Sequence, residues 1–162
     1  MPSVHGHEPG ASPTVIRNDP YPGHNFQVIV TGVSDDGSAV SGAFSEISGL
    51  ELEIKAIEYR NGNEPNTVRK ITGLTTHTNL TCKRGSTGHV EFWNWIKKAL
   101  DGQVQRAEGS IILQDENKTE VMRWNFSRGW PCKYTGPTFN AANNEIAMES
   151  VEICVEELYL DA

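Results

Sequence analysis

Three cysteines, five histidines and a run of C-terminal carboxylates are the residues of this chain that chemistry would recruit first. Cys82, Cys132 and Cys154 lie far apart, and none belongs to a C-x-x-C or Cys/His pattern with the spacing of a zinc site. The expectation is three buried thiols and no metal. His5-Gly6-His7 is a candidate weak metal pair, but it sits in a Gly/Pro/Ser-rich terminus where histidines are ordinarily solvated. Glu152 and Glu156 offer the paired carboxylates a glycoside hydrolase uses, yet they fall at repeated outward positions of a charged strand. Gly85-Ser86-Thr87-Gly88, with Lys83 and Arg84 beside it, has the composition of an anion-binding helix start. A helix cap plus a tight turn explains it better. Trp93 and Trp95, flanked by Lys97 and Lys98, would suit base stacking, but their place in a wide apolar helical arc assigns them to a core. No nucleophile elbow, zinc-protease, P-loop or dinucleotide fingerprint stands in a usable context. The chain therefore reads as a protein with no catalytic site, no metal and no cofactor.

Charge narrows the partners. The net charge is -7, and Glu145, Glu149, Glu152, Glu156, Glu157 and Asp161 all follow Lys133, the last basic residue. That acidic stretch repels a polyanion, which argues against a dedicated nucleic-acid binder and leaves weak contact inside a channel open. No apolar run is long enough to cross a bilayer, and the N-terminus lacks a basic start followed by an apolar segment. The expectation is cytoplasmic synthesis and no membrane insertion. Three Asn-x-Ser/Thr triplets, at Asn79, Asn117 and Asn125, carry no weight without a secretory signal.

The elements that would position these residues are mostly strands. At 162 residues one domain is expected, and 15 glycines with 8 prolines imply many turns and few long helices. Residues 1–24 read as a flexible arm and 25–162 as a single domain. Phe26 to Thr31 predicts a strand buried on both faces, turning at Asp35-Asp36-Gly37 into a hairpin partner over Val40 to Ile47. Leu50, Leu52, Ile54 and Ala56 alternate with Glu51, Glu53, Lys55 and Ile57, so this strand has one apolar and one charged face. Arg60 to Asn66 is polar and turn-rich and should project as a hairpin tip. Thr76 to Arg84 returns as a strand. Gly88 to Asp101 predicts the one helix, started by Ser86-Thr87 and stopped at Gly102, with Phe92, Trp93, Trp95, Ile96, Ala99 and Leu100 on its apolar arc. Ser110 to Gln114 and Thr119 to Ser127 form a hairpin, and Trp130-Pro131 and Gly136-Pro137 should break the chain. Glu145 to Leu160 closes it as a strand whose phase slips near Glu149-Ser150, where a bulge is expected. The fold class is mainly β, antiparallel, with one flanking α-helix.

In order along the chain, Asp19-Pro20-Tyr21, Phe44 to Leu50 (FSEISGL), Glu58 to Gly62 (EYRNG), Asn79 to Gly85 (NLTCKRG), Trp93-Asn94-Trp95, Trp130-Pro131-Cys132-Lys133, Phe139-Asn140-Ala141 and Asn144 to Ala147 (NEIA) accumulate into one pattern. This ordered set resembles the inner tube proteins of contractile phage tails and related injection particles. The likeness begins near Asp19, leaving residues 1–13 as an extension, and Cys82 and Cys132 stand where small apolar residues are expected.

The resemblance implies a β-barrel or sandwich protomer, hexameric rings with a continuous inner β-barrel, and stacking of those rings into a hollow tube. It implies sheath, baseplate and spike proteins as partners, and luminal cargo protein or DNA. Four strands from each of six subunits would close a barrel of about 45 Å diameter. Glu51, Glu53 and Lys55 are then lumen-facing candidates, because a strand apolar on one side turns its other side to water. Glu58, Tyr59, Arg60, Asn61, Gly62, Asn63, Asn66 and Lys70 are candidates for a ring-stacking loop. Lys83, Arg84, Trp130, Lys133, Asn140, Asn144 and Glu145 are further interface candidates. The alternatives are a type VI-like secreted hexameric tube protein and a solitary ligand-binding β-sandwich.

Overall fold

A computed structural model describes residues 19–34, 39–41, 44–60, 62–63, 67–142 and 144–161. Ten strands and one helix follow in the order β1 (Phe26–Thr31), β2 (Val40–Ser41), β3 (Phe44–Ser48), β4 (Leu52–Tyr59), β5 (Arg69–His77), β6 (Leu80–Gly85), α1 (Glu91–Leu100), β7 (Ala107–Gln114), β8 (Glu120–Thr135), β9 (Met148–Cys154) and β10 (Glu157–Asp161). All pairings are antiparallel. One sheet runs β2-β1-β7-β8-β9-β6-β3 with β10 also on β8, while β4 and β5 pair, among the described residues, only with each other. No helix among the described residues is long and apolar enough to cross a membrane.

The architecture turns on β8. Its first half pairs with β7 on one edge and β10 on the other, and its second half pairs with β9. The strand thereby passes from one layer to the next. Arg128, with φ of 52°, marks the corner, and strands that change sheets by a local bend are the usual way such corners are made. Val28, Val30, Ile111, Phe126 and Leu158 from the first layer and Phe44, Leu80, Cys82, Val151 and Ile153 from the second share one core with Phe92 and Trp95 of α1. Trp95 is fully buried, and its indole Nε1 donates to the Gln105 carbonyl at 2.7 Å.

Several expectations are corrected. β1 is not buried on both faces: Val28 and Val30 point inward, whereas Gln27 and Thr31 are exposed. The expected hairpin partner over Val40 to Ile47 is split. Only the two residues of β2 pair with β1, and β3 crosses to pair with β6, because Phe44 is drawn into the core beside Phe92. The expected strand over Thr76 to Arg84 is likewise two, since Thr78-Asn79 breaks it and the Thr78 hydroxyl donates to the Gly49 carbonyl at 2.9 Å. Trp130-Pro131 does not stop β8; the missing N–H of a proline is absorbed where the register shifts between Pro131 and Lys133.

The C-terminal strand carries no bulge against β6, where pairing is continuous from Leu80↔Ile153 to Gly85↔Met148. Instead it divides into β9 and β10, which take the same edge of β8 in succession. The helix begins later than expected. Its N-cap is Val90 with no side-chain hydrogen bond, so Ser86-Thr87 is a linker whose Ser86 amide donates to Ala147. Its C-terminus is as expected: Gly102, at φ of 84°, donates to Ala99 and Gln103 to Lys98, the paired hydrogen bonds that a left-handed glycine permits. The apolar arc is narrower than the wheel implied, with Leu100 and Trp93 exposed; the Trp93 ring meets Tyr134 edge-on at 5.4 Å. The Asp35-Asp36-Gly37 turn and residues 1–18 of the predicted arm, including His5 and His7, lie outside the described residues.

Candidate assembly surface

Among the described residues, no other strand pairs with the β4–β5 ribbon. Every residue of β4 is exposed, and Leu52, Ile54 and Ile57 are each more than half exposed, with Tyr59 and Ile71 at half and Leu74 at 80%. A two-stranded hairpin alone is marginally stable in water, because neither face is covered and both edges leave amide and carbonyl groups unpaired. An apolar surface of this size on a thin ribbon marks a contact site.

Most of the predicted contact residues gather here. Glu58, Tyr59, Arg60, Gly62, Asn63 and Lys70 occupy the exposed far end of the ribbon, while Glu51, Glu53 and Lys55 are exposed along its base. Asn61 and Asn66 lie outside the described residues. A second grouping forms at the strand ends of the other layer, where Lys83 and Glu145 border a groove of about 450 Å³. Lys83 is paired there with Glu46 at 3.4 Å. Lys133, Asn140 and Asn144 are exposed, whereas Trp130 is half-buried.

Arg84 is the correction among these candidates. It is 7% exposed; its Nε donates to Glu149, also buried, and its Nη2 lies 3.3 Å from Glu91. The guanidinium also stands 4.3 Å from the Phe92 ring centroid. Tyr134 completes the network, donating its hydroxyl to Glu149 at 2.8 Å; burial first, and that hydrogen bond second, raise the phenol above its ordinary range. Arg84 is thus consumed inside the protomer. The signal was present in the sequence, because Arg84 falls in phase with Leu80 and Cys82, and Glu149 with Val151 and Ile153. Two opposite charges on inward phases of neighbouring strands mark a buried pair.

The cysteines are not uniform. Cys82 is buried, and burial pushes its thiol up to about 12. Cys132 and Cys154 are half-buried; Cys132 is also pushed up to about 12, by burial first and by the neighbouring Cys154 thiol second. No cluster of three or more metal-binding side chains gathers among the described residues. Since only the folded state disfavours ionisation of Cys82, its contribution to stability is complete below about 9.0, the thiol's ordinary value, and drains away as pH rises toward 12. The melting temperature should fall across that window, with each pH unit costing up to about 1.4 kcal/mol per such group. Calorimetry from pH 8 to 11 on wild type and Cys82→Ala checks this, and equal slopes would contradict it.

Comparison with known proteins identifies the family of this chain. The family described as T4-like virus tail tube protein gp19 matches residues 22–159. The chain belongs to that tail tube family. It is a structural subunit of the inner tube of contractile particles.

Solved structures agree on the fold of this tail tube protein. A chain of the anti-feeding prophage baseplate, six-fold symmetrised, superposes with a TM-score of 0.81 at 20% identity, covering 90% of this chain and 98% of that one. A chain of the PVC sheath-tube complex of an extracellular contractile injection system, in the extended state, gives 0.77 at 29% identity, covering 90% and 93%. Hcp1 from Flavobacterium johnsoniae gives 0.53 at 14% identity, covering 83% and 94%. No curated protein sequence matches this chain.

Proposed function

We propose that this tail tube protein assembles laterally into hexameric rings, and that the rings stack into a hollow tube inside a sheath. Baseplate and spike proteins cap the assembly, and luminal cargo protein or DNA passes through it. The observation that carries the reading is the β4–β5 ribbon, largely exposed and, among the described residues, paired with no other strand. A ring satisfies such edges with neighbouring copies. The likeness to a sheath-tube complex at 29% identity supports the sheath as a partner. Synthesis is cytoplasmic, residues 25–162 form the tube domain, and 1–24 serve as an arm.

Within the tube, Glu51, Glu53 and Lys55 form part of the charged luminal wall, and the segment from Glu58 to Lys70 governs contact between rings. The role draws on association alone. Purified protein at rising concentration should give hollow tubes or six-membered rings by negative-stain microscopy, with a light-scattering mass at a sixfold multiple of the chain. Deleting residues 61–66 should leave folded rings that fail to elongate. Material that stays monomeric at high concentration rejects the reading.

A further inference from the structure

Two of the cysteines stand on the outer face of the second layer, and a β-bulge sets them side by side. Along β9, Val151 and Ile153 point inward and are buried, so Glu152 and Cys154 take the opposite face, where both are half-buried. On β8, Trp130 lies opposite Cys154 and Pro131 opposite Ile153. A regular register would then put Cys132 opposite Glu152, but Lys133 holds that place, so Cys132 is the extra residue of the bulge and is displaced along β8 toward Cys154. Its thiol donates to the Glu152 carbonyl at 3.3 Å. The Asn79 side-chain amide donates to the Glu152 carboxylate at 2.7 Å and reaches the Cys132 Sγ at 3.7 Å. So held, Cys132 has the Cys154 thiol as a hydrogen-bonding neighbour. Adjacent strands, about 4.8 Å apart, lie within the Cα reach of a disulfide, about 4.4–6.8 Å. Cys82 is outside this pair: it stands opposite Val151, shares its inward face and is 1% exposed.

We infer that Cys132 and Cys154 are a redox-sensitive pair, which closes into an intramolecular disulfide when the folded protein meets a glutathione-type disulfide and reopens in a thiol reductant. One thiol, as its thiolate, attacks a sulfur of oxidised glutathione and expels the first glutathione; the neighbouring cysteine attacks the protein sulfur of that mixed disulfide and expels the second. The protein dithiol gives up two electrons and two protons, and both finish on two glutathione thiols. Burial first, and the neighbouring thiol second, hold the Cys132 proton, so closure is slow at neutral pH and quickens as pH rises. In a reducing compartment the pair stays open, and in an oxidising one it closes. Closure joins β8 to β9 close to the corner at Arg128, just ahead of the step from β9 to β10 along the same edge of β8. A covalent tie there restricts the unfolded chain and fastens the junction of the two layers. It needs one chain only and is indifferent to assembly.

The full chain, reduced and then freed of reductant, is incubated with oxidised glutathione at pH 8, alkylated in denaturant, and mapped by mass spectrometry without reduction. The expected product has one peptide pair joined through Cys132 and Cys154, alkylation at Cys82 alone, and a melting temperature about 5–10 °C above that of the reduced protein. Dithiothreitol should reverse the link and the rise together. Cys82→Ala should behave as wild type, whereas Cys132→Ser and Cys154→Ser should show no rise and stop at the glutathione adduct. Alkylation of all the cysteines in wild type treated while folded would overturn the inference. So would a Cys132–Cys154 link that forms only in denaturant, a glutathione adduct that persists on wild type, or links between different chains.

Discussion

Arg84→Ala should destabilise the protomer by about 3–5 kcal/mol, the cost of leaving a buried carboxylate without its counter-charge. The stranded group is Glu149, 6% exposed, which would keep the Tyr134 hydroxyl but lose the guanidinium. Arg84 also carries the ring contact with Phe92 and the pairing with Glu91, so its loss loosens the junction of β6, β9 and α1. Urea unfolding of wild type, Arg84→Ala, Arg84→Met, Glu149→Leu and the double variant Arg84→Met/Glu149→Leu measures it. The single changes should each cost more than the double, because removing both charges together leaves none uncompensated. Additive losses would show that the pair is packing alone.

Trp95→Ala should cost about 3–5 kcal/mol, through lost burial and the cavity left beneath the helix. Trp95 has no exposed surface, and its Nε1 is the partner of the Gln105 carbonyl. Trp95→Phe separates the two contributions: most of the apolar volume stays, and the lost hydrogen bond costs about 1–3 kcal/mol if the carbonyl remains buried. Thermal denaturation ranks the three proteins. If Trp95→Ala melts within a few degrees of wild type, α1 is not the lid of the core that its contacts indicate.

Both predictions concern residues whose neighbours a sequence shows only partly. Helix α1 was legible because Phe92, Trp95 and Ile96 recur at helical spacing and Gly102 ends the run, but its apolar arc overstated burial. Trp93 and Leu100 are exposed because a helix lying on β8 covers less than the whole arc. The hairpin of β7 and β8 was legible from its alternation around Asp115, whose Oδ1 accepts from the Asn117 and Thr119 amides at 2.9 Å. The length of β8 was not, since Pro131 reads as a breaker until the register shift beside it is seen. The assembly candidates fared similarly. Alternation found the exposed charges Glu51, Glu53 and Lys55, but Ile71 and Leu74 went unnoticed because β5 had not been recognised above Thr76.

By itself the sequence determined the class of the protein: short alternating segments, one helix ended by Gly102, a strand from Leu50 to Tyr59 with an apolar and a charged face, and an ordered set of motifs specific to tube subunits. These are local properties, fixed by side-chain period and turn chemistry within a few residues. Which strand lies beside which, that Arg84 meets Glu149 inside the core, and that a bulge sets Ile71 opposite Ile57 were decided only by tertiary structure. Such pairings join positions separated in the chain, and period-two alternation says which face a residue takes without saying what stands across from it.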